Sequence, residues 1–253
     1  MSMQETDPQP HALLVVYSMT YMLENYDSFI CRIGAHPKLG GVIFIHNTGV
    51  KTLVQGLVLM LTLATPRLGF QIVKNWFFTK QSWARRNKIF QNKKILITKD
   101  IRAPEVALFI KSNQFNFLIH SRTTSFFKKQ FLEHFKYGAI NIHHGLLPKH
   151  RGLMCDFWAH LKQLPFGFSI HQMTAKIDDG PLLFRQELTK TKSYLQSAHL
   201  SAIQEAEACE KILDDLANKK GLNFQPQDQT ETLYEKAPGL RHGYLLQLKG
   251  IKI

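Results

Sequence analysis

The chain has 253 residues, 44% hydrophobic content and a formal net charge of +13, the make-up of an ordinary globular protein with one large or two small cored domains. Its three cysteines, Cys31, Cys155 and Cys209, are odd in number, widely spaced and without a CxxC pair. They argue against a disulfide framework and a cysteine zinc site, and they fit a reducing compartment.

From the start of the chain, MSMQETDPQPHALLVVYS places acids where an export leader carries positive charge, and its apolar run is short, so a cytoplasmic protein is expected. Residues 11–18 and 40–47 read as strands, with a helix over 23–33 between them. The strand signal returns at 93–98 and 115–121 around a helical stretch, PEVALFIKS. SFFKKQFLEHF (125–135) has Phe126, Phe127, Phe131, Leu132 and Phe135 at helical spacing behind a Ser cap, and GAINIHH follows as a strand. A helix over 155–164 and strands over 166–173 and 181–188 complete the series. Alternating strands and helices imply an α/β fold, a doubly wound and mostly parallel sheet whose ligands bind beyond the carboxyl ends of the strands.

Two regions leave that rhythm. Residues 50–92 form a helical, basic insertion, apolar almost all round from Leu53 to Thr65 but too short to span a bilayer before Pro66 and Arg67. It reads as a buried helical hairpin covering the sheet, or as an interfacial anchor in which Trp76, Phe77, Phe78 and Trp83 alternate with basic residues. Between Asp27 and Asp100 there is no acid, while twelve Lys and Arg residues fall in that interval. Such asymmetry fits a polyanion, a phosphorylated substrate, an anionic membrane surface or a merely solvated basic face. The second region is the tail. Residues 197–221 predict a packing helix with Leu200, Ile203, Leu213 and Leu216 on one stripe and Gly221 as its stop, then a polar linker over 224–239 and short closing strands over 243–253. Residues 1–221 are thus expected to form the domain, with 222–253 an extension packed on it.

The chemistry concentrates in INIHHGLLPKHRG. Successive strand residues alternate faces, so Asn141 and His143 project one way while Ile140 and Ile142 pack the other. IDDGP (177–181) supplies a carboxylate, Asp178 or Asp179, after another strand. Amide, imidazole and carboxylate together can bind an oxyanion, move a proton and orient the proton carrier. The histidines 143, 144, 150, 160 and 171 match no metal-binding spacing, so no metal is expected. The first strand lacks the glycine-rich turn of a dinucleotide site.

INIHHGLLP with RG, then GFSIHQM, then IDDGPLL resembles the folate-dependent formyltransferase family, whose pattern is Asn-Ile-His-x-Ser-Leu-Leu-Pro and a later Asp-x-Gly-x-Ile/Leu loop. The likeness runs from about Lys93 to Leu188. It implies a formyltransferase-like, Rossmann-like fold and 10-formyltetrahydrofolate as co-substrate. Asn141 would stabilise the oxyanion, His143 would assist proton transfer, and Asp178, two before the Gly, would orient His143. The folate would lie against Ser121, Arg122, Thr123, Thr124 and Ile177, largely on backbone groups. Arg151 is a candidate for an anionic acceptor, with a salt bridge as its plain alternative, and His171 for a place beside the site. Gly145 departs from the pattern's Ser, and His144 should face away from the site.

The acceptor implied is an amine on an anionic small molecule, an amino sugar on a nucleotide or lipid. Methionyl-tRNA is the second acceptor considered, disfavoured because the stretch after the packing helix is too short for the family's barrel-like tRNA domain. The same residues also admit formyltetrahydrofolate hydrolysis, and the insertion admits a non-catalytic protein peripheral to the membrane.

Overall fold

A computed structural model of the chain describes residues 10–17, 24–46, 49–61, 65–77, 87–123, 125–228 and 232–252. A seven-stranded sheet forms the centre. Its strands are β1 (Ala12–Tyr17), β2 (Leu39–Ile45), β3 (Lys94–Thr98), β4 (Phe117–Ser121), β5 (Ala139–His143), β7 (Phe166–Gln172) and β8 (Leu182–Leu188). They lie in the order β3-β2-β1-β4-β5-β7-β8. The first five are mutually parallel, and β7 and β8 add antiparallel strands at one side. The mostly parallel α/β sheet is the one expected.

Strands this apolar need cover on both faces. On one face Leu14, Val16, Val42, Phe44, Ile119, Ile140 and Ile142 meet helix α1 (Asp27–Ala35), through Phe29, Ile30 and Ile33, and the long helix α7 (Tyr194–Ala217), through Ala202, Ala206, Cys209 and Leu213. On the other, Leu13, Val15, Ile43 and Leu118 pack against Val106 and Ile110 of α4 (Pro104–Ser112) and against Phe115, Phe127 and Phe135. Each large side chain buried in this way contributes about 1.5–3 kcal/mol. The even and odd positions of β1 go to different cores, which is the period-2 pattern of a central strand.

Several elements differ from expectation for identifiable reasons. Over 125–135 only one turn, α5 (Lys129–Leu132), is helical, and its N-cap is Lys128 without a side-chain bond. The apolar residues there satisfy one another as a ring cluster, Phe127–Phe131 at 5.1 Å and Phe131–Phe135 at 5.8 Å, while Phe126 is exposed. In α7 the buried stripe is small, Ala198, Ala202, Ala206 and Cys209 ahead of Leu213 and Leu216, and Leu200 faces solvent. Ser193 caps its start through the Gln196 N–H at 3.4 Å. The helix stops before Gly221: Lys219 takes φ 57°, and Lys219 N–H and Lys220 N–H bond back to Leu216 O (3.0 Å) and Asp215 O (2.8 Å) in a Schellman motif.

The tail also departs from a linker and strands. β9 (Leu233–Glu235) pairs in parallel with β6 (His150–Gly152), and α8 (Leu240–Leu248) is a helix, its start closed by the Gly239 N–H donating to His242 Nδ1 at 2.8 Å. Leu246 and Ile251 join Phe157, Trp158 and Leu161 of α6 (Cys155–Leu161) in a third cluster. The insertion folds as two helices, α2 (Val50–Leu61) and α3 (Pro66–Phe77), packed on each other. It does not form the buried cover expected: of α2 only Gly56 is buried. Phe78 and Trp83 lie outside the described residues.

Candidate active site

The site is built at the carboxyl edge of the parallel strands, where register lines up polar side chains across the sheet. His120 of β4 pairs with Asn141 of β5, and Asn141 with His171 of β7, so the three share one row and one face. Ile119, Ile140, Ile142 and Ile170 pack the opposite face, as alternation requires.

The row is a continuous hydrogen-bonded chain. Thr123 Oγ1 lies 2.6 Å from His120 Nε2, His120 Nδ1 lies 2.7 Å from Asn141 Oδ1, and Asn141 Nδ2 lies 3.0 Å from His171 Nε2. His171 Nδ1 ends it at the carbonyl of Gln172, 2.9 Å away. A carbonyl can only accept, so a neutral His171 carries its proton on Nδ1 and accepts from Asn141 on Nε2. The direction then propagates: Asn141 accepts from His120 Nδ1–H, and His120 Nε2 accepts from the Thr123 hydroxyl. Burial drives the pKa of His120 down to about 4, in keeping with a neutral ring. One hydrogen of the Asn141 amide goes to His171, and the second is left for a ligand. Donation into its carbonyl polarises the amide and strengthens that second hydrogen as a donor.

His143 lies one alternation further along β5, at the strand end. Its Nε2 donates to the His150 carbonyl at 2.7 Å, and its Nδ1 stands 3.4 Å from Asp178 Oδ1. Burial lowers the His143 pKa, against the opposing pull of Asp178. A neutral ring bonded through Nε2 therefore leaves Nδ1 as the proton acceptor, beside a carboxylate that stabilises the imidazolium once formed. Asp178 takes φ 52°, a conformation Asp tolerates, which turns its carboxylate under the histidines. Burial alone would raise its pKa, but His143, His171 and the Gly152 N–H, 3.2 Å from Oδ2, outweigh that and hold it at about 2. Asp178 is thus ionised, and His171 Nε2 stands 3.6 Å from the same oxygen.

Gly145, where the resembling pattern has Ser, makes this packing possible. A Cβ there would fall 2.8 Å from His143 Nε2, 2.8 Å from His150 O and 2.7 Å from Cys155 Cβ. Ser169 pins the same loop, accepting from Leu147 N–H at 3.0 Å and donating to Gly145 O at 2.8 Å.

The remaining candidates are placed as follows. Arg151 Nη1 is 3.1 Å from Asp179 Oδ1, and its Nη2 donates to Gln227 Oε1 at 3.2 Å, the arrangement of a salt bridge. Gln227 in turn donates to the carbonyls of Asp178 (3.2 Å) and Gly180 (2.6 Å), tying the carboxylate loop to the tail. Ile177 is exposed next to Asp178. Thr123 joins the row through its hydroxyl, and Thr124 lies outside the described residues. Ser121 and Arg122 send their side chains to the other face of the sheet: Ser121 Oγ is 2.5 Å from Tyr26 OH, and the Arg122 guanidinium lies 4.2 Å over the Tyr26 ring.

That second face carries a buried charged cluster. Glu205, fully buried in α7, accepts from Ser201 Oγ (2.7 Å) and His144 Nδ1 (2.9 Å), with Arg122 Nη2 at 3.7 Å. Burial opposes ionisation, yet His144 and Arg122 bring the Glu205 pKa to about 2. The cluster clamps the loops after β4 and β5, the ones that present Thr123 and His143, against α7.

His120, Gln227 and Glu205 are absent from the sequence-based candidates. His120 had a signal, a polar residue in phase with Leu118 one step before the end of an apolar strand. Glu205 had one too, the only acid on the small-residue stripe of α7. Gln227 had none. A depression of about 370 Å³ lined by His46, Thr98, Asp100 and Glu105 lies at the ends of β2 and β3 and shares no residue with the Asn141 row.

Known proteins agree with the architecture. The sugar N-formyltransferase of a Shewanella species aligns with a TM-score of 0.56 at 16% identity over 94% of this chain and 87% of that one. A 4-N formyltransferase from Francisella tularensis gives 0.59 at 16% identity, over 94% and 86%. At these identities the likeness is one of fold. In sequence, a methionyl-tRNA formyltransferase of Borrelia garinii is 33% identical over 110 residues, 43% of this chain and 35% of that protein. One from Geobacter metallireducens is 30% identical over 151 residues, 58% and 47%. The chain thus spans between about a third and a half of the curated relatives it matches. The formyl transferase family model matches residues 72–213, more than half of the chain and all of the Asn141, His143 and Asp178 constellation, and the chain belongs to the formyl transferase family.

Proposed function

We propose that this protein is an N-formyltransferase that moves the formyl group of 10-formyltetrahydrofolate to the amine of an anionic small molecule, an amino sugar carried on a nucleotide or a lipid. The observation that carries the reading is the juxtaposition of a polarised, partly exposed Asn141 amide with the His143–Asp178 pair, 3.4 Å apart, at one strand end. In the reaction the acceptor amine attacks the formyl carbon and gives a tetrahedral oxyanion. Collapse breaks the carbon–N10 bond, forms the new amide and returns tetrahydrofolate, with the amine proton passing to N10. Asn141 Nδ2–H donates to the oxyanion, His143 Nδ1 relays the proton, and Asp178 stabilises the imidazolium in between. The backbone of 121–123 and the exposed Ile177 would flank the pterin.

Arg151, held by Asp179 and Gln227, would meet the acceptor's anionic group from the edge of the site, and the Lys- and Arg-rich surface would favour such acceptors electrostatically. The fold likeness to sugar formyltransferases supports this acceptor class. The sequence relatives favour methionyl-tRNA as a second reading. The test is consumption of 10-formyltetrahydrofolate against a panel of amino-sugar nucleotides, with methionyl-tRNA as comparison. Turnover that requires the sugar amine supports the proposal; formate release without any amine indicates a hydrolase. Binding to tRNA that collapses steeply with salt, together with formylation of it, supports the second reading.

A further inference from the structure

The helical hairpin presents apolar surface outward in a pattern that the fold does not use. Val50, Val54, Leu57, Val58 and Leu61 recur at i, i+4, i+7, i+8 and i+11, so they share one stripe of α2, and all five are exposed, Val50 to 70% and Leu61 to 79%. The other side of α2 is the one that packs. A Cβ at Gly69 of α3 would overlap the Met60 backbone, so the helices meet backbone to backbone there, and Gly56 is buried against Ile72. The stripe is therefore turned away from the helix partner by close packing on the opposite side. On α3 the exposed positions Arg67, Phe70, Lys74 and Phe77 follow one another at i, i+3, i+7 and i+10, alternating a cation with an aromatic ring.

The surrounding charge is mainly positive, although Lys74 pairs with Glu24 Oε1 at 3.4 Å. Lys51 and Arg67 are exposed on the hairpin, and no acid occurs from residue 28 to residue 99. Apolar stripes bordered by cations match the headgroup boundary of an anionic bilayer, where acyl chains take the apolar side chains and lipid phosphates take the Lys and Arg. No described helix is long and apolar enough to cross a membrane, so the geometry is that of a surface contact. We propose that α2 and α3 form a docking surface for anionic lipid bilayers.

The topology gives that surface a place relative to the chemistry. β2 runs parallel to β4 and β5, so the chain enters α2 from the same sheet edge at which Ser121 and His143 end their strands. Leu68 of α3 packs on the cluster of Phe157, Trp158 and Leu161, whose helix α6 begins three residues after Gly152. Docking would hold the catalytic edge near the headgroups, which favours a lipid-carried acceptor; that last step rests on the formyl-transfer reading, whereas docking itself does not.

Co-sedimentation of the full chain with vesicles tests the surface, using phosphatidylcholine alone and phosphatidylcholine mixed with phosphatidylglycerol. Binding is expected to the mixed vesicles and to weaken with salt. Val54→Glu with Leu57→Glu should lower the partition coefficient by about tenfold or more, and Lys51→Gln or Arg67→Gln by about fivefold each. Circular dichroism of each variant checks folding, and Phe70→Gln on the second helix provides an independent apolar arm should the double variant misfold. Equal binding to phosphatidylcholine alone, or no binding to either vesicle, overturns the proposal. So does a dimer of the unaltered chain that the same substitutions dissociate, which would assign the stripes to a second copy.

Discussion

Asn141 is the residue on which the site converges, because its carbonyl, its amide and its strand position are all committed. The carbonyl receives His120, one amide hydrogen is spent on His171, and the remaining hydrogen points to whatever occupies the strand end. Asp178 acts on His143 through charge, which yields a pH prediction with a definite sign. Burial already sets the His143 pKa below its ordinary value, and Asp178 pulls it back up. Asp178→Asn should therefore lower kcat and move the acid limb of kcat/KM to lower pH, read from a pH–rate profile; a limb that moves upward contradicts this electrostatic assignment. Gly145→Ser should cost about 1–3 kcal/mol by overpacking, because a Cβ meets His143, His150 and Cys155 at once; the check is a denaturant titration. At this scale strand alternation put Asn141 and His143 on one face, whereas the choice of Asp178 over Asp179 came from the resemblance to the formyltransferase pattern, and the structure sets His143 Nδ1 3.4 Å from Asp178 Oδ1. The sequence was silent on His120, whose role depends on the register between β4 and β5, and although it offered a salt bridge for Arg151 it did not name Asp179 and Gln227 as the partners.

Secondary-structure elements carry the stability that holds these groups in place. Glu205 on α7 ties the loops after β4 and β5 through His144 and Arg122. Its folded pKa of about 2 lies below the ordinary 4.5, so the stability it lends is complete above about pH 4.5 and is lost as pH falls towards 2. Glu205→Gln should cost about 3–5 kcal/mol at neutral pH by leaving the Arg122 charge uncompensated, and should flatten the acid limb of Tm against pH; an unchanged Tm contradicts the clamp. Lys219→Gly should raise stability by about 1 kcal/mol by removing the left-handed penalty at the end of α7, read in the same denaturant assay. Helix α7 was legible because it is long and periodic, yet its stop was not: Gly221 was the obvious residue, and the Schellman bonds place the turn at Lys219 instead. The Phe-rich stretch misled for a related reason, since helical spacing of rings is equally satisfied by a single turn with flanking loop in which Phe131 meets Phe127 and Phe135 at tilted angles.

Across the molecule, one sheet divides two cores and gathers the chemistry at a single edge. β1 to β5 run in one direction, so the loops after β4 and β5 open on the same side, and the antiparallel β7 adds His171 to the row from its own carboxyl end. The parallel core was predictable from alternating apolar strands and helices. The insertion was not, because a helix apolar all round looks the same in sequence whether a sheet or only a partner helix covers it; the fold packs one side of α2 on α3, with Gly56 its one buried residue, and leaves the other outward. The tail, too polar to form its own core, contributes by strand pairing with β6 and through Leu246 and Ile251, interactions that depend on distant partners. The measurement that bears most directly on the catalytic assignment is single-turnover transfer of labelled formyl from 10-formyltetrahydrofolate to an amine acceptor, comparing the unaltered protein with His143→Ala. Amine-dependent formylation is predicted for the unaltered protein, falling by about 10²–10⁴-fold in the variant, with Tm and folate binding by calorimetry retained. Equal transfer by both proteins, or absence of folate binding in the unaltered one, would contradict it.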